Sequence, residues 1–214
     1  MVQQNKSAPE RPKQQIPYHK PKESDEILLL MDNEKGMAVL KTPVDIYNRT
    51  YLHIAVRDSD DAAFKALSTD FGRKALATTV DDFGVSALDW LLNSQENLVI
   101  GLLDSDEYKE FFANTKGGHG RSKLHDIVCM SEKAAQKLTH TENDIKFIAT
   151  VKTDKGWSVL HESVKHNSVK KKLLNQYVQL ADLFSSTRDN AGRSVLNLLQ
   201  SSESLLRSNL RGME

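Results

Sequence analysis

Three stretches of this 214-residue chain hold residue types that carry chemistry in other proteins. His161-Glu162 opens like the zinc-protease motif, in which two histidines four apart on one helical face hold the metal and the glutamate acts as base. The next histidine here is His166, five positions on and off that face, so the spacing fails as a metal site. Gly117-Gly118-His119-Gly120 has the glycine density of a phosphate cradle. It lacks the following lysine and a preceding buried strand, which that cradle needs. Cys129 lies near His119 and His125 in sequence, the residue types of a metal-dependent or thiol enzyme, but no third orienting group or oxyanion donor can be identified. The densest basic run, Lys165, His166, Lys170, Lys171 and Lys172, suits an acidic partner or phosphates, or simply a solvated helix face. The expectation is a protein that is not an enzyme, with no catalytic residues, no metal, no cofactor and no small-molecule substrate.

Composition narrows the class further. Basic and acidic side chains number 29 each, which argues against a protein built to coat nucleic acid or an anionic membrane. The single cysteine excludes an internal disulfide framework and a four-cysteine zinc module. The longest apolar run, Ile27 to Met31, is five residues, far short of a bilayer span. Aromatic residues make up 7% of the chain, so the predicted core is mostly aliphatic. The stretch 1–22 holds four prolines (Pro9, Pro12, Pro17, Pro21) and five basic residues against Glu10 alone. Lacking apolar periodicity or a signal-peptide core, it is predicted to be a disordered Pro/Lys-rich tail. Its Pro9-Glu10-Arg11-Pro12 run matches a minimal polyproline docking pattern. Residues 23–214 carry 24 basic and 28 acidic side chains. The expected location is the cytoplasm, or that of a secreted effector.

The elements that position these residues follow from an internal period. Thr50, Ser86, Ser122, Ser158 and Ser194 stand 36 positions apart. Two residues later come Leu52, Leu88, Leu124, Leu160 and Leu196; two residues earlier come Asn48, Gly84, Gly120, Gly156 and Gly192. Two further columns read Ala66, Leu102, Leu138, Leu174, Leu210 and Leu40, Leu76, Phe112, Ile148, Phe184. The glycine or asparagine suits a turn with positive φ, and the hydroxyl residue suits a helix N-cap. A short helix is predicted after each cap and a longer one after each polar break, as over Asn97–Phe112 and Ser168–Phe184. The fold class expected is all-α, two antiparallel helices and a turn per period, with periods at about 23–45, 46–81, 82–117, 118–153, 154–189 and 190–214. The incomplete first and last periods suit the outer faces of a stacked array.

Thr50-Tyr51-Leu52-His53-Ile54-Ala55 closely resembles the first-helix opening of the ankyrin repeat, Thr-Pro-Leu-His-x-Ala. Asp154-Lys155-Gly156-Trp157-Ser158-Val159-Leu160-His161, Asp82-Phe83-Gly84-Val85-Ser86-Ala87-Leu88 and Gly120-Arg121-Ser122-Lys123-Leu124-His125 are similar to it, and the resemblance covers about residues 25–212. The period departs from the family's usual 33 residues. The proline after the threonine and the Gly-Ala-Asp close of the second helix are also missing. The resemblance implies an ankyrin-type helical solenoid of four full repeats flanked by half repeats, in which His53, His125 and His161 brace the turns.

It further implies a non-enzymatic protein–protein interaction module, an adaptor or scaffold. Such a module would work within a larger assembly or, by fold analogy alone, as a bacterial host-directed effector. Specificity should lie in the columns that vary. Beside the turn glycine these are Tyr47, Phe83, His119, Lys155, Ala191 and Arg49, Val85, Arg121, Trp157, Arg193. These types anchor protein interfaces, and adjacent periods should present them about 8–10 Å apart. The first-helix ends Arg57, Asp58, Asn93, Cys129, Met130, Lys165 and His166 would line a groove beside them.

Overall fold

The computed structural model describes residues 24–201. The 1–22 tail, Leu210 and the end of the last period lie outside them. Every described element is helical: fourteen α-helices and one 3-10 turn, with no strand longer than an isolated bridge. The chain divides into two compact units between Gln95 and Glu96.

The first unit holds α1 (Ser24–Leu30), α2 (Glu34–Leu40), α3 (Tyr51–Asp58), α4 (Asp60–Leu67), α5 (Asp70–Thr78) and α6 (Ala87–Ser94). α3 packs on α6 and α4, α5 on α4 and α6, and α1 on α2 and α4. The second holds α7 (Glu96–Leu102), α8 (Asp106–Asn114), a 3-10 turn (Gly118–Gly120), α9 (Lys123–Met130), α10 (Glu132–Leu138), α11 (Glu142–Thr150), α12 (Val159–Ser163), α13 (Asn167–Asn175) and α14 (Tyr177–Ser186). There α9 packs on α8, α10 and α12, and α10 packs on α13.

Each full period thus has three helices where the sequence reading gave two. The long second helix is broken at Ser68-Thr69, Leu103 to Ser105, Thr139 to Thr141 and Gln176, the last within the expected Ser168–Phe184 helix. Thr69 and Thr141 take extended backbone angles, and their hydroxyls accept from the N–H groups of Gly72 and Asp144. A hydroxyl that satisfies an orphan donor starts a new helix and ends the old one. Thr69, Ser105 and Thr141 are themselves 36 residues apart, a second cap column.

The apolar columns make the core. Leu52, Leu88, Leu124 and Leu160 are fully buried, as are Leu76, Phe112, Ile148 and Phe184. Burial of a leucine or phenylalanine side chain contributes about 1.5–3 kcal/mol. Leu30, Leu174 and Leu196, toward the ends of the described region, are only half-buried.

Candidate functional site

The turns that carry the variable columns are built the same way in both units. Asn48, Gly84, Gly120, Gly156 and Gly192 all take positive φ, between 55° and 78°. Thr50, Ser86, Ser122 and Ser158 follow as N-caps of α3, α6, α9 and α12 with extended backbone angles. The turns are fastened by an acidic column that sequence reasoning missed. Oδ1 of Asp45 accepts from the N–H groups of Tyr47 and Arg49, that of Asp81 from Phe83 and Val85, and that of Asp189 from Ala191 and Arg193. In the same column, Thr153 Oγ1 accepts from Trp157 N–H. The signal was available: Asp45, Asp81, Thr153 and Asp189 fall in the 36-residue register. Gly117 occupies that column in the remaining turn and has no such oxygen, and there the chain forms the 3-10 turn with His119 at φ +59°.

Consecutive turns within each unit are joined by backbone. Asp82 N–H donates to Tyr47 O at 2.9 Å, Asp154 N–H to His119 O at 3.1 Å, and Asn190 N–H to Lys155 O at 2.9 Å. The buried imidazoles add a second tie. Nδ1 of His53, His125 and His161 accepts from the cap N–H of Thr50, Ser122 and Ser158. The proton therefore sits on Nε2, which donates to Val85 O at 3.3 Å, Trp157 O at 3.0 Å and Arg193 O at 3.2 Å. Burial holds all three pKa values below the ordinary imidazole range, against the opposing pull of those carbonyls. Asp89 and Asn197 stand in the same column and accept from the cap N–H groups of Ser86 and Ser194.

In the first unit the tips are apolar and open. Phe83 is 71% exposed and Tyr47 43%, with ring centroids 5.6 Å apart, and Ile46 beside them is 74% exposed. Val85 is half-buried. Arg49 lies over the rings of Tyr47 and Trp90 and is ion-paired with Asp45 at 2.5 Å. Arg57, paired with Asp58, also lies over the Trp90 ring.

In the second unit the tips border an open cleft of about 640 Å³. Its walls come from Gly118, His119 and Arg121, from Thr153, Lys155 and Trp157, and from Asp189, Asn190, Ala191 and Arg193, with Glu162 and Lys165 of α12 and its C-terminal flank. Trp157 is half-buried; its indole N–H donates to Glu162 Oε2 at 2.9 Å, and its ring tilts against His161 at 4.8 Å. Lys165 Nζ and Arg193 Cζ sit 5.3 and 5.2 Å from the indole centroid. Arg193 is held by Asp189 at 2.7 Å, Lys165 by Glu162 at 2.8 Å, and Arg121 by Asp126 at 2.6 Å with Glu162 3.7 Å away. His119 and Lys155 are exposed at the rim. Glu162 is 2% exposed. Burial would push its pKa up; the hydrogen bonds from Lys165 and Trp157 outweigh burial and hold the carboxyl below its usual range.

The residues of the enzyme alternative are otherwise employed. His125 is buried with both ring nitrogens bonded, and His119 lies exposed on its turn. The Cys129 thiol is exposed on α9, yet partial burial and the neighbouring Glu162 carboxylate push its pKa up, away from a reactive thiolate. Among the described residues no three His, Cys, Asp or Glu side chains cluster as a metal site. Met130 is 49% exposed at the end of α9. His166, expected in the groove, instead reaches the Val128 carbonyl at 2.8 Å and so caps α9; Gln95 does the same for α3 through Arg57 O. Glu162 and Trp90, which sequence reasoning passed over as site residues, share a column with Ile54, Asp126 and Leu198. That column varies as much as the tips do. Among the described residues no helix is long and apolar enough to cross a membrane. Nothing matches this chain among family models, curated proteins or solved structures.

Proposed function

We propose that the chain is a non-enzymatic protein-binding module, an adaptor or scaffold. In this reading its periods form an ankyrin-type solenoid, which docks a protein partner with its turn tips and the adjoining first-helix ends. The observation that carries the proposal is the exposure of variable tip side chains, Phe83 above all, on turns whose backbone donors are already satisfied by their own aspartates. A surface fixed in advance loses little conformational freedom on binding, so more of each contact appears as affinity. Exposed aromatic and arginine side chains are the types that dominate interface energetics. The recurrence of cap, positive-φ turn and buried leucine in one 36-residue register supports the solenoid part of the reading.

The test uses partners captured by cross-linking in the native cell and mapped onto residues 45–200. Replacing Tyr47, Arg121 and Trp157 together with alanine should weaken the affinity for such a partner at least tenfold. Because Arg121 and Trp157 also hold their neighbours, a second variant, Tyr47→Ser with Phe83→Ser, alters exposed rings and leaves the Arg49–Asp45 ion pair in place. If both variants fold and both bind a captured partner as the parent does, the proposal fails.

A further inference from the structure

We infer that the cleft of the second unit is a docking site for an extended acidic segment of a protein partner, with carboxylates at alternating positions. The inference rests on the module reading above and names the chemistry of the ligand. The cleft lining holds four permanent cations, Arg121, Lys155, Lys165 and Arg193, against two carboxylates, Glu162 and Asp189. Both carboxylates are buried beneath the groups they hold, while the side chains of Lys165 and Arg193 remain 57% and 60% exposed. Arg121 is neutralised by Asp126. Lys155 has no acidic partner among the described residues. A solvent-borne ligand therefore meets three cations, and the carboxylates paired with Lys165 and Arg193 are out of its reach.

The cations are also held in place. The indole N–H bond to Glu162 fixes the plane of Trp157, and the ring carries Lys165 and Arg193 over it. Their distances to the ring centre leave the two charges at most about 10.5 Å apart. In an extended chain, side chains two positions apart share a face at a spacing of about 7 Å. An acid–x–acid segment can therefore address both cations, with its next carboxylate toward Lys155. The intervening side chain points to the other face, away from the charges.

A phosphate site of the usual construction needs free backbone N–H groups converging on the ion. Here the donors of the two turns around Trp157 and Arg193 are mostly spent. The N–H groups of Ala191 and Arg193 go to Asp189, those of Trp157 and Gly156 to Thr153, and those of Asp154 and Asn190 to the carbonyls of neighbouring turns. What the indole wall offers is separated side-chain charge, which suits spaced carboxylates of a peptide better than a compact anion.

The chain contains two tryptophans, so the indole N–H resonances of Trp157 and Trp90 report the two compact units separately. The experiment titrates the full-length, isotope-labelled protein at low salt with the peptide acetyl-Gly-Glu-Leu-Glu-Leu-Glu-Gly-amide, with its Gln-for-Glu counterpart, and with inorganic phosphate. The acidic peptide should shift the Trp157 resonance saturably, with Kd below about 1 mM, and leave Trp90 in place. The Gln peptide should bind at least about tenfold more weakly, and added salt should weaken the acidic one. Lys155→Glu, at an exposed and unpaired position, should cost about tenfold in affinity with the fold intact. A silent Trp157 resonance, equal binding of the two peptides, an unaffected Lys155→Glu, or phosphate binding as tightly as the acidic peptide each overturns the inference. If the titration is silent while the Tyr47/Phe83 variant still loses its captured partner, this inference fails alone. If the peptide binds while both variants keep their partners, the module reading fails.

Discussion

Acidification from pH 7 to 5.5 should destabilise this protein in advance of its carboxylates. His53, His125 and His161 are fully buried, and each accepts a backbone hydrogen bond at Nδ1 that an imidazolium cannot accept. Their folded pKa values lie below the ordinary 6.5, so the unfolded chain binds protons that the folded chain refuses. The stability they contribute is complete above pH 6.5 and is lost as pH falls from there through the folded values. A histidine that stays neutral in the folded protein throughout forfeits at most about 1.3 kcal/mol across this interval, so the three together forfeit at most about 4 kcal/mol. Glu162, Asp144 and Asp189 are depressed as well, but from carboxylate values, so their loss comes lower, beneath about pH 4.5. The two windows are therefore separable. Urea unfolding followed by circular dichroism at half-unit steps measures the slope, and carbon chemical shifts of the imidazoles locate the folded titrations. Stability that is flat or rising from pH 7 to 5.5, or imidazoles that titrate near 6.5 in the folded protein, refutes the assignment of neutral, Nε2-protonated braces.

Three further outcomes test the site. Trp157→Phe removes the indole donor from the buried Glu162 carboxylate and should destabilise the second unit by about 1.5–3 kcal/mol, read as a loss in urea midpoint. Gly156→Ala and Gly192→Ala both force a side chain into positive φ, at a cost of roughly 1–2 kcal/mol. Gly156→Ala should cost more, because its Cβ would meet Asn190 Oδ1 at 2.5 Å while the Cβ at 192 meets open space; equal midpoints for the two variants count against the close turn packing. Cys129 should alkylate with iodoacetamide at pH 7 more slowly than a free cysteine peptide despite its exposure, and Glu162→Gln should speed it; a rate unchanged by that exchange shows that the carboxylate does not control the thiol.

Much of the frame was legible because it rests on local rules repeated in phase. A hydroxyl two residues before a leucine marks a cap followed by a buried position, and Ser86-Leu88, Ser122-Leu124 and Ser158-Leu160 all fold that way. In the 46–81 and 118–153 periods the third helix is hidden because a helical apolar pattern continues across Thr69 and Thr141, and only the cap bond, not the periodicity, ends the helix there. The tips were legible as positions but not as environments. Arg49 and Arg193 are drawn to Asp45 and Asp189 four residues earlier, whereas Arg121, facing Gly117 at that place, turns to Asp126. The depth of Trp157 depends on a glutamate five residues later, and Val85 has no counterpart to it. Such pairings are set by individual neighbours, so a column pattern that averages over periods does not reveal them.

The aspartate that fastens three of the five turns has an evolutionary corollary. Because Asp45, Asp81 and Asp189 bond the main chain at the tip positions, whatever side chain is coded there is displayed without being needed for assembly. Mutation can drift or be selected at Tyr47, Phe83 and Ala191 while the scaffold below stays intact. A lineage, or a combinatorial library, can therefore explore new targets one loop at a time, and the 117–121 turn, without its aspartate, is where such exploration would be least tolerated.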